Sequence, residues 1–132
     1  LRRGALGVAA ALRERRVRPG DRVVALARNS IEVIEACLGS AAVGAAWSSV
    51  APDLGTNAVL ERFRQLEPVV LFAHTGQVSH GVSRDLGERI RSLLEGLPTI
   101  RHLVLLEDGP VPGCIRSGIE VSRLADWKTG LP

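Results

Sequence analysis

The chain has 132 residues, 45% of them hydrophobic, which is enough for one domain with a buried core and excludes a disordered segment. Its formal charge of +3 comes almost wholly from scattered arginines, since Lys128 is the sole lysine. With only Trp47, Phe63, Phe72 and Trp127 as aromatics, there is no base-stacking set, and a nucleic-acid partner is not expected.

The chain opens on a helix, with Leu1, Ala5, Val8, Ala9 and Leu12 spaced by three and four to share one face. The run Arg13, Arg15, Arg16 and Arg18 reads as its solvated end, and Arg18-Pro19-Gly20-Asp21 supplies a turn. Arg22 to Ala27 is a valine-rich buried strand. Asn29, with Glu32 three residues on, caps a second helix whose apolar face is Ile31, Ile34, Leu38, Ala41 and Ala42, with Cys37 as a small core residue; Gly44 stops it. Ala45 to Val50 is the second strand, and Asp53 reads best as the cap of a third helix beginning near Thr56, with Val59, Phe63 and Leu66 inward. Pro68 breaks that helix and Val69 to Ala73 is the third strand. His74 to Gly81 is a polar loop, Ser83 caps a fourth helix carrying Leu86, Ile90, Leu93, Leu94 and Leu97, and His102 to Leu106 is the fourth strand. Beyond Asp108-Gly109-Pro110 the pattern dissolves, apart from one short helix near Val121 to Trp127.

Short strands that are apolar throughout and alternate with helices predict an α/β fold: a mostly parallel sheet with helices on both faces. The regular part spans 1–108, and 109–132 reads as irregular and truncated. No apolar run reaches membrane-spanning length, and charges interrupt the N-terminal segment before any signal-peptide core. Cys37 and Cys114 form no CxxC, and His74 and His80 lack a second pair of ligands, so no metal site is expected and a cytoplasmic protein is.

Ligands of such sheets sit beyond the carboxyl ends of the strands, here Ala27 to Ser30, Ser49 to Asp53 and Ala73 to Gly76. Glycine-rich dinucleotide, P-loop and nucleophile-elbow motifs are absent. Ser48-Ser49 reads as a strand end, and His102 as structural.

Gly44-Ala45-Ala46-Trp47-Ser48-Ser49-Val50-Ala51-Pro52-Asp53-Leu54-Gly55 resembles the Gly-Ala-x-Trp-Ser-Ser-x-Ser-Pro-Asp-Phe-Gly stretch of acetoacetyl-CoA synthetases. The likeness continues through Val59-Leu60-Glu61-Arg62-Phe63 and Gln65-Leu66-Glu67-Pro68 to Gly96-Leu97-Pro98. Val17-Arg18-Pro19-Gly20-Asp21-Arg22-Val23 resembles the segment that opens this region across adenylate-forming ligases. The resemblance implies part of the N-terminal domain of an AMP-dependent acyl-CoA ligase over 1–132. Such a ligase uses ATP, Mg²⁺ and CoA to activate acetoacetate or a similar small acid as its acyl-AMP and pass the acyl group to CoA. It also implies that the phosphate loop and catalytic lysine lie outside this chain, whose ends read as cuts. No catalytic residue is then expected here, the remainder of the ligase polypeptide is the natural partner, and the isolated chain is inactive. The alternatives are a non-catalytic nucleotide- or anion-binding module and an inert truncated remnant.

By the same resemblance, Ala51, Pro52, Asp53, Gly76 and Gln77 lie near the CoA nucleotide. Where the family carries Gly-Tyr-Arg-Tyr-x-Gly-Lys, this chain has Gly76-Gln77-Val78-Ser79-His80-Gly81-Val82. The loss of both basic residues predicts weakened CoA binding.

Overall fold

A parallel sheet with both faces covered needs strands without a polar side, and three strands here meet that condition. In the computed structural model, which describes residues 2–79 and 82–129, β1 (Arg22–Leu26), β3 (Val70–Ala73) and β6 (His102–Leu105) are buried nearly throughout. With β2 (Ala46–Val50) and β7 (Glu120–Arg123) they form a five-stranded sheet in the order β2-β1-β3-β6-β7, every pair parallel. The α/β expectation is met.

Side chains alternate across the sheet. Val23, Ala25, Val70, Phe72, Val104 and Leu106 meet α1 (Arg2–Glu14), α2 (Ile31–Ala42) and α5 (Leu124–Thr129) on one face. Val24, Leu26, Leu71, Ala73, Leu103 and Leu105 meet α3 (Thr56–Arg64) and α4 (Gly87–Gly96) on the other. Val8, Ala9 and Leu12 of α1 are buried as its spacing predicts, while Leu1 lies outside the described residues.

Helix α2 departs from expectation. Ile31, Ile34 and Leu38 face outward, 63%, 47% and 45% exposed, and Ala41 and Ala42 are exposed too. Its inner face is Glu35, Ala36, Gly39 and Ser40. The reason is the close approach of α1: a Cβ on Gly39 would lie 2.5 Å from Val8, and one on Gly4 would overlap the Glu35 carboxylate. Small residues and one buried acid therefore take the inside. Glu35, 3% exposed, is matched by Lys128 of α5, whose Nζ donates to Oε1 at 2.7 Å. Cys37, expected in the core, is half-buried.

The ends of α2 follow capping rules, with one shift. Ser30, not Asn29, is the N-cap, its hydroxyl accepting the Val33 N–H at 3.2 Å. Gly44, at φ +79, closes the helix with its N–H on Ala41 and the next N–H on Ser40. Asp53 does not cap α3: the N-cap is Gly55, which has no side chain to offer. Ser83 does not cap α4, because it lies in β5 (Val82–Asp85), which pairs antiparallel with β4 (Gly76–Ser79) where a loop was expected. The Asp85 carboxylate accepts the Gly87 N–H at 2.7 Å at the start of α4 instead.

The stretch beyond residue 108 contains β7 and α5. The β7 sequence, Glu120-Val121-Ser122-Arg123, lacks an apolar run because the strand lies at the sheet edge. Cross-strand chemistry seats it: His102 Nδ1–H donates to Glu120 at 2.7 Å, and its Nε2 accepts from the Ser122 hydroxyl at 2.9 Å. His102 is thus structural, as expected. Likewise β2 is the opposite edge, with Ala46 and Ser49 exposed.

Removing Lys128 leaves Glu35 buried without its cation. Lys128→Met is expected to lower stability by about 1–3 kcal/mol in urea unfolding, less than a fully buried pair because Lys128 keeps partial contact with water. Adding Glu35→Gln to it should recover part of that loss.

Candidate functional site

Strand order determines where a site can form. The chain leaves β1 toward α2 on one face and leaves β3 toward the hairpin and α4 on the other, while β1 and β3 are neighbours. Their carboxyl ends therefore flank a crevice that neither connection crosses.

His74, directly after β3, floors this crevice and is 1% exposed. Its Nδ1 accepts the Arg28 backbone N–H at 3.2 Å, which assigns the neutral ring with its proton on Nε2. That nitrogen lies 3.5 Å from the Ser30 hydroxyl, the same hydroxyl that caps α2. Burial lowers the His74 pKa and the Arg28 charge lowers it further, against opposition from Glu107 and Glu32.

The Arg28 guanidinium reaches over the crevice, donating to Gly76 O at 2.7 Å and to Glu107 Oε2 at 2.6 Å. Glu107, which follows β6, accepts on Oε1 from Thr75 N (3.1 Å), Gly76 N (3.1 Å) and the Thr75 hydroxyl (3.3 Å). Burial pushes the Glu107 carboxyl up, but the Arg28 hydrogen bond, the Gly76 N–H and the Arg28 charge together outweigh it, and its pKa is lowered. Arg123, at the end of β7, holds the Glu107 and Gly109 carbonyls at 3.2 and 2.7 Å. A cavity of about 270 Å³, lined in part by Glu32, Leu106, Glu107, Arg123 and Lys128, opens beside this group.

Ala51, Pro52 and Asp53 occupy the loop after β2, with Ala51 and Asp53 exposed and Pro52 buried. Arg89, in the first turn of α4, donates to the Pro52 and Leu54 carbonyls and ties this loop to the helix that the hairpin leads into. Gly76 and Gln77 begin β4, and both backbone polar groups of Gly76 are engaged, by Glu107 and Arg28. His80, Gly81 and the Gln77 side chain lie outside what the structure describes. The sequence reading marked the strand ends but passed over Glu107 and Arg123; the one local signal is an acid placed directly after the all-apolar Leu103 to Leu106. Among the described residues no group of three His, Cys, Asp or Glu could hold a metal ion.

A parallel sheet covered on both faces, with its connections reversing between β1 and β3, defines an open α/β fold. The AMP-binding enzyme family matches residues 1–123, and the chain belongs to it. Acetoacetyl-CoA synthetases are among its relatives. Acetoacetyl-CoA synthetase of Gallus gallus is 41% identical over 106 residues, 80% of this chain and 16% of that protein. Acetoacetyl-coenzyme A synthetase of Rhizobium meliloti is 38% identical over 122 residues, 91% of this chain and 18% of that protein. The solved acetoacetyl-CoA synthetase from Streptomyces lividans superimposes with a TM-score of 0.85 at 37% identity, covering 96% of this chain and 19% of its own. The chain therefore spans less than a fifth of the length of these relatives.

Acid should weaken this structure by a defined route. Burial lowers the His102 pKa to about 4, against the pull of Glu120, and that of His74 is lowered as well, so between pH 6.5 and 4 the unfolded chain binds protons that the folded chain refuses. The histidine contribution is then constant well above pH 6.5 and falls as pH drops, with the His102–Glu120 pair the largest source, on the order of a few kcal/mol by pH 4.5. Below 4.5 the lowered pKa of Glu107 acts in the same direction. Urea unfolding at stepped pH measures this, and His102→Gln should flatten the slope.

Proposed function

We propose that this chain is part of the N-terminal domain of an ATP-dependent ligase that joins acetoacetate, or a related short 3-oxo acid, to CoA. The carboxylate displaces pyrophosphate from ATP to give acyl-AMP, and the CoA thiol then displaces AMP. The observation that carries this reading is the superposition of 96% of the chain, at 37% identity, on an acetoacetyl-CoA synthetase. The domain would run through 1–132, with β7 and α5 as working parts of the sheet layers rather than an irregular tail.

The chain contributes scaffold and part of the CoA side, not the chemistry. ATP and Mg²⁺ are assigned to the remainder of the polypeptide, together with the phosphate loop and lysine. Ala51, Pro52, Asp53, Gly76 and Gln77 are proposed to line the CoA nucleotide. They fit a phosphate poorly: proline has no N–H, the Pro52 carbonyl and both Gly76 backbone groups are in use, and Asp53 is acidic. The contact they offer is shape, and CoA affinity is correspondingly low.

The remainder of the ligase is proposed to cover α2. A helix with isoleucines and a leucine outward and glycine, serine and a paired acid inward is built to be covered on its outer face as well. The same exposed stripe makes the isolated chain prone to associate. Cytoplasmic location is proposed with this reading, on the likeness to acyl-CoA synthetases.

The purified chain is expected to release no pyrophosphate from ATP with acetoacetate and CoA present; turnover would overturn the assignment of the chemistry elsewhere. Calorimetry should find weak CoA binding with little dependence on the 3′-phosphate. Tight, phosphate-dependent binding would instead favour a free-standing nucleotide- or anion-binding module. Replacing Ile31 and Leu38 together by glutamate should raise the solubility of the isolated chain with little change in its melting temperature, because both side chains already face water.

A further inference from the structure

We propose that Glu107 is a positioning residue that fixes the β4–β5 hairpin to the carboxyl end of the sheet, and so sets the place of the CoA-side loop. The role in CoA binding rests on the reading above; the fixing of the hairpin does not.

Among the described residues, β4 and β5 pair with each other and not with the main sheet, so its ladder does not hold them. A two-stranded hairpin is marginal alone in water. Its attachment is at its base. Leu86 N–H donates to Thr75 O at 2.9 Å, closing the two ends on each other. Among the described residues, the polar ties of this base to the sheet ends centre on one carboxylate and its counter-ion, while the Leu86 side chain is buried in the core. Glu107 Oε1 accepts both consecutive N–H groups, Thr75 and Gly76, together with the Thr75 hydroxyl. Its second oxygen holds Arg28, which in turn donates to Gly76 O. The residue at which the chain turns from β3 into β4 is thus gripped on its N–H by the acid and on its C=O by the acid's own counter-ion.

Glu107 is itself placed by rigid parts. The preceding N–H, of Leu106, donates to Ala73 O in the sheet at 2.9 Å, and Arg123 donates to the Glu107 carbonyl. Gly109 leaves room for the grip, since a Cβ there would stand 2.2 Å from the Thr75 hydroxyl oxygen. A charged acceptor serving four donors from two neighbouring strands is a stronger tie than the single neutral bond at the hairpin's foot.

The test uses the full chain, with Glu107→Ala and, as the milder change, Glu107→Gln. Amide hydrogen exchange is followed by NMR at β4 and β5, with β1 and β3 as internal reference, alongside a CoA titration. Expected is exchange at the hairpin faster by about tenfold or more, with the reference strands unchanged. Formate, but not chloride at equal ionic strength, should restore protection in Glu107→Ala by filling the vacated donors. CoA affinity should fall by a similar factor in both variants. Hairpin exchange that is unchanged, or that rises only in step with β1 and β3, overturns the proposal. Wild-type chain that gives no CoA response while the variants still loosen the hairpin defeats the CoA reading and leaves the positioning role standing.

Discussion

Three adjacent strands of this molecule have no face left for solvent. β1, β3 and β6 are covered by α1, α2 and α5 on one side and by α3 and α4 on the other. A strand sealed in this way can present polar chemistry only at its ends. Parallel pairing collects the carboxyl ends on one edge, and the reversal of the connections between β1 and β3 opens that edge into a crevice. The position of His74, Arg28, Thr75 and Glu107 therefore follows from the burial of Val23 to Leu26, Val70 to Ala73 and Leu103 to Leu105, not from any local motif.

The same sealing makes buried charged and polar groups expensive, and the structure handles both by pairing. Glu35 meets Lys128, His102 meets Glu120 and Ser122, and Glu107 meets Arg28 and two backbone N–H groups. Each set joins elements distant in sequence: α2 to α5, β6 to β7, and the ends of β1, β3 and β6 to one another. Gly4 and Gly39 let α1 and α2 approach closely enough for Glu35 to lie between them and α5. That close approach turns the larger side chains of α2 outward and leaves Ile31, Ile34 and Leu38 as an exposed apolar stripe.

How much could be read in advance follows the same physics. Strands buried on both faces were legible because Val23-Val24-Ala25-Leu26 and Val70-Leu71-Phe72-Ala73 have no polar member. Edge strand β7 was not, since Glu120-Val121-Ser122-Arg123 owes its place to His102 across the ladder. The hairpin was taken for a loop because Gly76, Gln77, Ser79 and Ser83 carry no strand signal. The orientation of α2 was misjudged because periodicity marks an apolar face without saying which way it points, and two glycines with a paired acid decided it. That the sheet would gather polar groups at its carboxyl edge was legible from topology. The central ion pair there was not, because Arg28 and Glu107 lie 79 residues apart and nothing local to either predicts the other.

The central proposal is that the CoA contact of this chain lies at the carboxyl edge of the sheet. The most direct measurement is a ¹⁵N NMR titration of the full chain with CoA in large excess. The account predicts shifts clustered at Arg28, Ala51, Asp53, Thr75, Gly76, Gln77 and Glu107, with the opposite edge, at Val69, Arg101 and Glu120, unmoved. Shifts centred on that opposite edge, or none at all at the carboxyl edge, would contradict it.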